Sequence, residues 1–365
     1  MTMIPEPVLL LTVYLKKHKN QSDWPASFEE LKLLSETDGL QVDEMIPIAV
    51  DSFSAKFMMG EGNVARLKNR IEERSIQRVI FDNELSPIQI KNLEKAWGID
   101  VIDRTDLILD IFSRHAVTRE SELQVQLARL EHLLPRLSGQ WTHLDRQYGG
   151  IKVRGGGGET QLEVDRRDTK RQISLIKEKL AKVERNRRNQ QKRRADAFRI
   201  ALVGYTNAGK STLLNALTGG HTYADDKLFA TLDPRTRKWG VLPGREILIT
   251  DTIGFIRRLP HHLIASFKST LMEAEFADLI WMVIDGSHPE YKRQIEIVEQ
   301  TLKEIGLDQK PIWKIYNKID RIETELAILD PDGLYLSALS GQGLEQLKNR
   351  IRETGEIVKA THKVF

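Results

Sequence analysis

Residues 198–217, Phe-Arg-Ile-Ala-Leu-Val-Gly-Tyr-Thr-Asn-Ala-Gly-Lys-Ser-Thr-Leu-Leu-Asn-Ala-Leu, decide the fold. Phe198 to Val203 reads as a buried strand, and Lys210 to Leu217 as the opening of a helix. Between them Gly204-Tyr205-Thr206-Asn207-Ala208-Gly209-Lys210-Ser211 fits the phosphate-binding pattern G-x-x-x-x-G-K-[ST], with Thr212 directly after it. The glycines let successive backbone N–H groups turn inward onto phosphate oxygens. The helix N-terminus adds positive potential. Lys210 is placed to reach the β- and γ-phosphates, and the Ser211 hydroxyl to ligate Mg²⁺. By composition alone the pattern arises in roughly one to two per cent of chains this long, so the segments downstream matter.

They follow in the order a guanine-nucleotide site requires. Ile247 to Ile249 is a short strand leading to Asp251-Thr252-Ile253-Gly254. Asp251 would hold the Mg²⁺ shell through water, and the Gly254 N–H would face the γ-phosphate. Pro311 to Tyr316 is a strand ending in Asn317-Lys318-Ile319-Asp320. The Asp320 carboxylate can accept from guanine N1–H and the 2-amino group, whereas adenine has an acceptor at N1 and no 2-amino group. A site built on such polar pairs rejects the wrong partner by about 10⁴-fold. The Lys318 stem would lie along the base, and Asn317 would tie this loop to the phosphate loop. Leu334 to Leu336 leads into Ser337-Ala338-Leu339, whose Ala338 N–H can meet guanine O6.

A switch segment is expected over Asp226 to Arg237, containing Phe229-Ala230-Thr231-Leu232-Asp233-Pro234. Thr231 and Thr236 both offer a hydroxyl as a second Mg²⁺ ligand. The chemistry has a gap: many GTPases carry a Gln directly after DxxG to orient water, and here that residue is Phe255. No catalytic residue is assigned, and intrinsic hydrolysis is expected to be slow. Asn207 resembles the phosphate-loop Asn of K⁺-activated GTPases. It either helps hold K⁺ or only stabilises the loop.

The 365 residues suffice for two or three domains. There is no cysteine, which excludes disulfides, thiolate metal sites and thiol nucleophiles and suits the cytosol. Val8 to Leu11 is too short to span a membrane and lacks a signal-peptide pattern. From Val8 to Asp103 short apolar runs alternate with helical patterns, as in a small α/β domain with a mostly parallel sheet. Ser86-Pro87 with Gln89 forms a capping box. Gly60-Glu61-Gly62 reads as a turn, and no phosphate loop occurs there.

Leu123, Leu127, Leu130 and Leu134, and then Ile173, Ile176, Leu180 and Val183, recur at helical spacing as two narrow apolar stripes. They predict an antiparallel helical hairpin, its first helix ended or kinked at Pro135. Its tip, Tyr148 to Glu159, is glycine-dense with Lys152 and Arg154. Arg166 to Arg199 holds fourteen Lys and Arg against four Asp and Glu, a basic stripe suited to RNA phosphates. With few aromatics, shape-read structured RNA fits better than stacked single strands.

Several motifs resemble the HflX family of bacterial ribosome-associated GTPases, related to the Obg-type translation GTPases. They are Glu84-Leu85-Ser86-Pro87, Asp103-Arg104-Thr105, Leu107 to Phe112, Pro135-Arg136-Leu137 and Glu159 to Glu163, together with Gly204 to Ser211, Phe229 to Pro234 and Asp251 to Phe255. The resemblance favours Thr231 over Thr236. It implies an α/β chain with an N-terminal α/β domain (1–115), the hairpin with its glycine-rich tip (116–197), a doubly wound P-loop GTPase domain (198–356) and a short tail (357–365). GTP as substrate with Mg²⁺ follows from the motifs above, a monomer in the cytoplasm is expected, and the resemblance adds association with ribosomes. The large ribosomal subunit and its RNA would be the partner, and splitting of ribosomes stalled by stress such as heat the task, with the tip loop near the peptidyl-transferase region. Two departures stand out. The family's Arg-Gly-Pro-Gly-Glu-Thr is here Arg154-Gly155-Gly156-Gly157-Gly158-Glu159-Thr160, longer and without proline, and Arg235 replaces a common Thr. A nucleotide-gated RNA-binding protein with negligible hydrolysis is the alternative, and an ATP-dependent RNA remodelling enzyme is a weaker third reading.

Overall fold

The computed structural model describes residues 6–18, 23–139, 161–192, 197–220, 228–229, 231–242, 246–258, 260, 263, 273–322 and 330–361. The chain divides into two compact units, 1–114 with 122–181, and 115–121 with 182–365.

The first unit carries the expected alternation. β1 (Pro7–Leu15), α1 (Trp24–Thr37), β2 (Gln41–Val50), α2 (Glu61–Glu73), β3 (Arg78–Phe81), α3 (Pro87–Trp97), β4 (Asp100–Asp103) and α4 (Arg104–His115) follow in order. The strands form a wholly parallel sheet in the order β2-β1-β3-β4. β1 lies inside it, and Val8 to Leu11 are buried accordingly. The α2 stripe Val64, Leu67 and Ile71 packs with Leu9, Val79 and Trp97 in one core. Gly60 precedes α2 directly, so Glu61 and Gly62 open a helix instead of forming the expected turn. The α3 capping box is formed: Gln89 N–H donates to Ser86 Oγ at 3.3 Å, and Ser86 N–H to Gln89 Oε1 at 2.9 Å.

The hairpin helices are α5 (Arg119–Gly139) and α6 (Gln161–Lys192). Their stripes meet, Leu123 and Leu127 against Ile173 and Ile176. α5 continues past Pro135 to Gly139. Pro135 has no backbone N–H to give the turn before it, so the last turn needs support from side chains. The next residue is anchored, because Arg136 forks onto both Asp106 oxygens at 3.0 Å and reaches Asp103 at 3.0 Å. The glycine tip and Arg193-Arg194 lie outside the described residues.

The second unit contains β5 (Phe198–Gly204), α7 (Lys210–Thr218), β6 (Arg235–Trp239), β7 (Ile247–Asp251), β8 (Leu279–Asp285), α8 (Tyr291–Glu304), β9 (Ile312–Asn317), β10 (Leu334–Tyr335) and α9 (Leu344–Thr361). The six-stranded sheet has the order β10-β9-β8-β5-β7-β6, all parallel except the β6 edge. Trp281 of β8 is fully buried, edge-on to Trp239 and stacked near Trp313. Burying each such side chain contributes about 1.5–3 kcal/mol. The parallel strands send their C-terminal ends to one side, where ligands bind open α/β sheets. Among the described residues no helix is long and apolar enough to cross a membrane.

Candidate nucleotide-binding site

Backbone geometry at the end of β5 demands its glycines. A Cβ on Gly204 would lie 2.2 Å from the Val283 carbonyl oxygen of the adjacent strand. One on Gly209 (φ +90°) would lie 2.2 Å from Asn317 Nδ2. That second collision shows why the phosphate loop and the NKxD loop meet only if position 209 is glycine. Asn317 then donates to the Ala208 carbonyl at 2.9 Å and accepts from Ala338 N–H at 2.9 Å, joining three loops. Asn207 takes the left-handed φ of +58°, which Asn tolerates better than most residues.

The result is a cavity of about 490 Å³. Thr206, Asn207, Gly209, Lys210, Ser211 and Thr212 line it from the phosphate loop, and Phe229 and Thr231 from the switch segment. Thr252 and Gly254 lie along its wall, while Asn317, Lys318 and Asp320 meet Ser337, Ala338 and Leu339 at the far end. Gly204, Tyr205, Ala208, Leu232, Asp251, Ile253 and Ile319 sit behind this lining. All but Gly204 and Asp251 place apolar or aromatic side chains in the core. Asp233 is turned instead towards residues 117–118, and Ala230 lies outside the described residues.

At the phosphate end, Lys210 is buried, and its ammonium donates to the carbonyls of Gly204 (3.2 Å) and Tyr205 (2.8 Å). Burial pushes this group down to about 8; Asp251 opposes the shift and Lys318 adds to it. Asp251 is fully buried at the end of β7. One carboxylate oxygen accepts the Ser211 hydroxyl at 2.6 Å and the Thr231 hydroxyl at 3.2 Å. The other accepts no hydrogen bond from the described residues. Burial raises this carboxyl above its ordinary range, against the pull of Lys210 and the two hydroxyls. Two hydroxyls 2.9 Å apart beside a half-satisfied carboxylate form the hard-oxygen set that Mg²⁺ takes. Thr236 lies instead on β6, its hydroxyl 2.9 Å from that of Thr250. Within the expected switch segment the described residues 228–229 and 231–234 are thus loop. Beyond Pro234 the chain pairs with β7, burying Trp239 at the strand's end.

Phe255 is 1% exposed and points into the core. Its backbone locks DxxG to the phosphate loop: Phe255 N–H donates to Gly204 O at 3.1 Å, and Thr206 N–H to Phe255 O at 2.8 Å. Gly254 is pressed so close that a Cβ would lie 2.8 Å from Thr206 Cα.

Three family models match in succession. They are described as GTP-binding GTPase N-terminal (residues 25–113), GTP-binding GTPase Middle Region (115–194) and 50S ribosome-binding GTPase (199–318). GTPase HflX of Caldanaerobacter subterraneus subsp. tengcongensis is 45% identical over 340 residues, 93% of this chain and 78% of that protein. GTPase HflX of Escherichia coli K12 is 41% identical over 366 residues, 98% of this chain and 85% of its own. The chain belongs to the GTPase HflX family. It is accordingly a GTPase with a P-loop GTP-binding domain. The crystal structure of SsGBP in complex with GDP is also similar, at 26% identity and a TM-score of 0.52, covering 97% of this chain and 99% of that one.

Around the site of this HflX-family chain the structure adds residues that no motif marked. Arg321 lines the cavity beside Asp320. Asp285, at the end of β8, pairs with Lys318 Nζ at 2.8 Å and accepts the Ser287 hydroxyl at 2.6 Å, anchoring a lysine that lines the cavity. Strand-end acidic residues in a doubly wound sheet are the signal that could have pointed to Asp285.

Proposed function

We propose that this HflX-family GTPase binds GTP with Mg²⁺ in the 490 Å³ cavity and uses the nucleotide state to engage the large ribosomal subunit and split stalled ribosomes. The observation that carries the nucleotide assignment is the joining of phosphate loop, NKxD loop and Ala338 N–H through Asn317. In this reading Lys210 neutralises the β- and γ-phosphates, while Asp320 and Ala338 read guanine. Ser211 and Thr231 hold Mg²⁺ directly, and Asp251 holds it through water. When bound, the ion offsets charge on the transferring phosphoryl group.

The Asp320→Asn variant should lose GTP affinity by about 10²-fold or more and shift towards xanthosine triphosphate, because the carboxylate acceptor for N1–H and the 2-amino group is gone. Unchanged GTP affinity in a calorimetric titration would remove the guanine assignment.

The burial of Phe255 leaves no side chain at the usual water-orienting position, which supports slow intrinsic hydrolysis completed from outside the site. K⁺ held through Asn207 is one such source, and the large subunit another. Single-turnover hydrolysis in K⁺ against Na⁺, each with and without large subunits, separates them. Hydrolysis negligible under all four conditions would favour the alternative, an RNA-binding protein working by GTP occupancy. Ribosome engagement is supported by the 50S ribosome-binding description of the matched family model and by the basic α6 sequence. Replacing Arg187, Arg188, Arg193 and Arg194 with Gln should flatten the salt dependence of large-subunit binding. The log–log slope should fall by about 0.7–0.9 for each phosphate no longer neutralised. Deleting 151–157 should abolish splitting in a light-scattering assay while changing affinity modestly. Full splitting by that variant would reduce the tip loop to a linker.

A further inference from the structure

The switch segment is held at two points two residues apart. The inner point is Thr231, between Ser211 and Asp251. The outer point is Asp233, which gathers three donors from far away in the sequence. One oxygen accepts the N–H groups of Val117 (3.1 Å) and Thr118 (3.2 Å), and the other accepts the Thr118 hydroxyl at 2.5 Å. Thr118 is itself set in place by Ser121, whose N–H donates to the Thr118 hydroxyl at 3.2 Å. Residues 115–121 belong to the same compact unit as the switch. Between the two points Leu232 is 2% exposed, a buried spacer. Before them Phe229 adopts φ +57°, a conformation that a bulky side chain holds only where its surroundings impose it.

We propose that Asp233 and Thr118 are positioning residues for GTP hydrolysis, holding Thr231 at the metal end of the site from the segment that leads into α5. The proposal rests on the reading of Thr231 as a Mg²⁺ ligand. With Leu232 anchored, a shift of Asp233 displaces Thr231, and order imposed on Thr231 by metal and γ-phosphate holds Asp233 against 117–118. Such coupling is reciprocal. It affects the triphosphate state selectively, because a second hydroxyl ligand completes the shell only when the γ-phosphate is present.

The test uses the full chain. Thr118→Val removes the hydroxyl and keeps the shape, and Thr118→Ser restores it. Thr118→Val should weaken binding of the non-hydrolysable analogue GMPPNP about fivefold, the size of one typical net hydrogen bond. It should raise the Mg²⁺ concentration for half-maximal single-turnover hydrolysis and leave GDP affinity unchanged, with Thr118→Ser close to the parent. In the unmodified protein, amide exchange at Val117 and Thr118 should be slower with Mg²⁺–GMPPNP than with GDP. Equal exchange in the two states overturns the proposal, whatever the fold of the variants. So does a Thr118→Val protein with unaltered GMPPNP affinity and Mg²⁺ requirement. Thr231→Val is the control: if it too leaves both unchanged, the metal-ligand reading fails and the proposal falls with it. If Thr231→Val weakens both and Thr118→Val does not, only the positioning role is lost.

Discussion

Two buried aspartates at strand ends show how differently the two units use the same kind of position. Asp82 directly follows β3 in the first unit, and Asp251 ends β7 in the second; both are essentially inaccessible. Asp82 is saturated. It accepts the Ser27 hydroxyl at 2.9 Å and Arg104 at 2.9 Å, and Arg104 also pairs with Glu30 at 2.5 Å. Asp251 has two hydroxyls on one oxygen and, among the described residues, no donor on the other. A buried carboxylate neutralised by an arginine and a hydroxyl holds structure together. A half-satisfied one beside two hydroxyls and a buried lysine is arranged for a cation and a polyphosphate.

The contrast is breakable, most sharply at Arg104. Arg104→Ala leaves Asp82 and Glu30 buried without their cation, which costs about 3–5 kcal/mol. Denaturant unfolding should show the lower midpoint, and GTP affinity should not change. An undisturbed midpoint would mean that the Asp82 network is not structural. Asp251→Asn is the counterpart. Hydrolysis should fall about 10²–10³-fold, roughly 2.7–4 kcal/mol of barrier, while the melting temperature holds, since burial already disfavours the ionised form. A large stability loss with activity intact would erase the distinction between the two aspartates.

A smaller effect concerns pH. Burial brings the free Lys210 ammonium to about 8. Phosphate binds the protonated form and raises its pKa, so affinity is full below about 8 and declines above it. GTP affinity should drop about tenfold per pH unit once pH exceeds that value. Lys210→Arg, which stays charged, should give a flat profile even if it binds more weakly. A parent profile flat from pH 7 to 9 would show that burial does not perturb the lysine.

Much of this was legible without coordinates because it consists of local demands on the chain. The Ser86–Gln89 capping box, the α2 stripe and the strand before Gly204 each follow from short-range spacing. Gly209 is of the same kind, since its φ of +90° is a conformation that glycine adopts at least cost. Other features were not legible. The path of α5 beyond Pro135 depends on Arg136 meeting Asp103 and Asp106, some thirty residues away. That Arg235 to Trp239 forms an edge strand depends on β7 being there to pair with it.

The sequence by itself determined the ordered guanine-nucleotide motifs, the α/β alternation of both units and the paired stripes of the hairpin. Each is written in residue spacing, and periodicity is a property of the chain alone. Only the tertiary structure set Thr231 beside Ser211 and Thr236 beside Thr250, placed Asp285 under Lys318, closed Arg104 over Asp82 and set Thr118 against Asp233. These pairings join segments up to 116 residues apart, as Val117 and Asp233 are. No local pattern encodes which distant donor a carboxylate will meet. That is set by where the packed sheets and helices bring the ends of their loops.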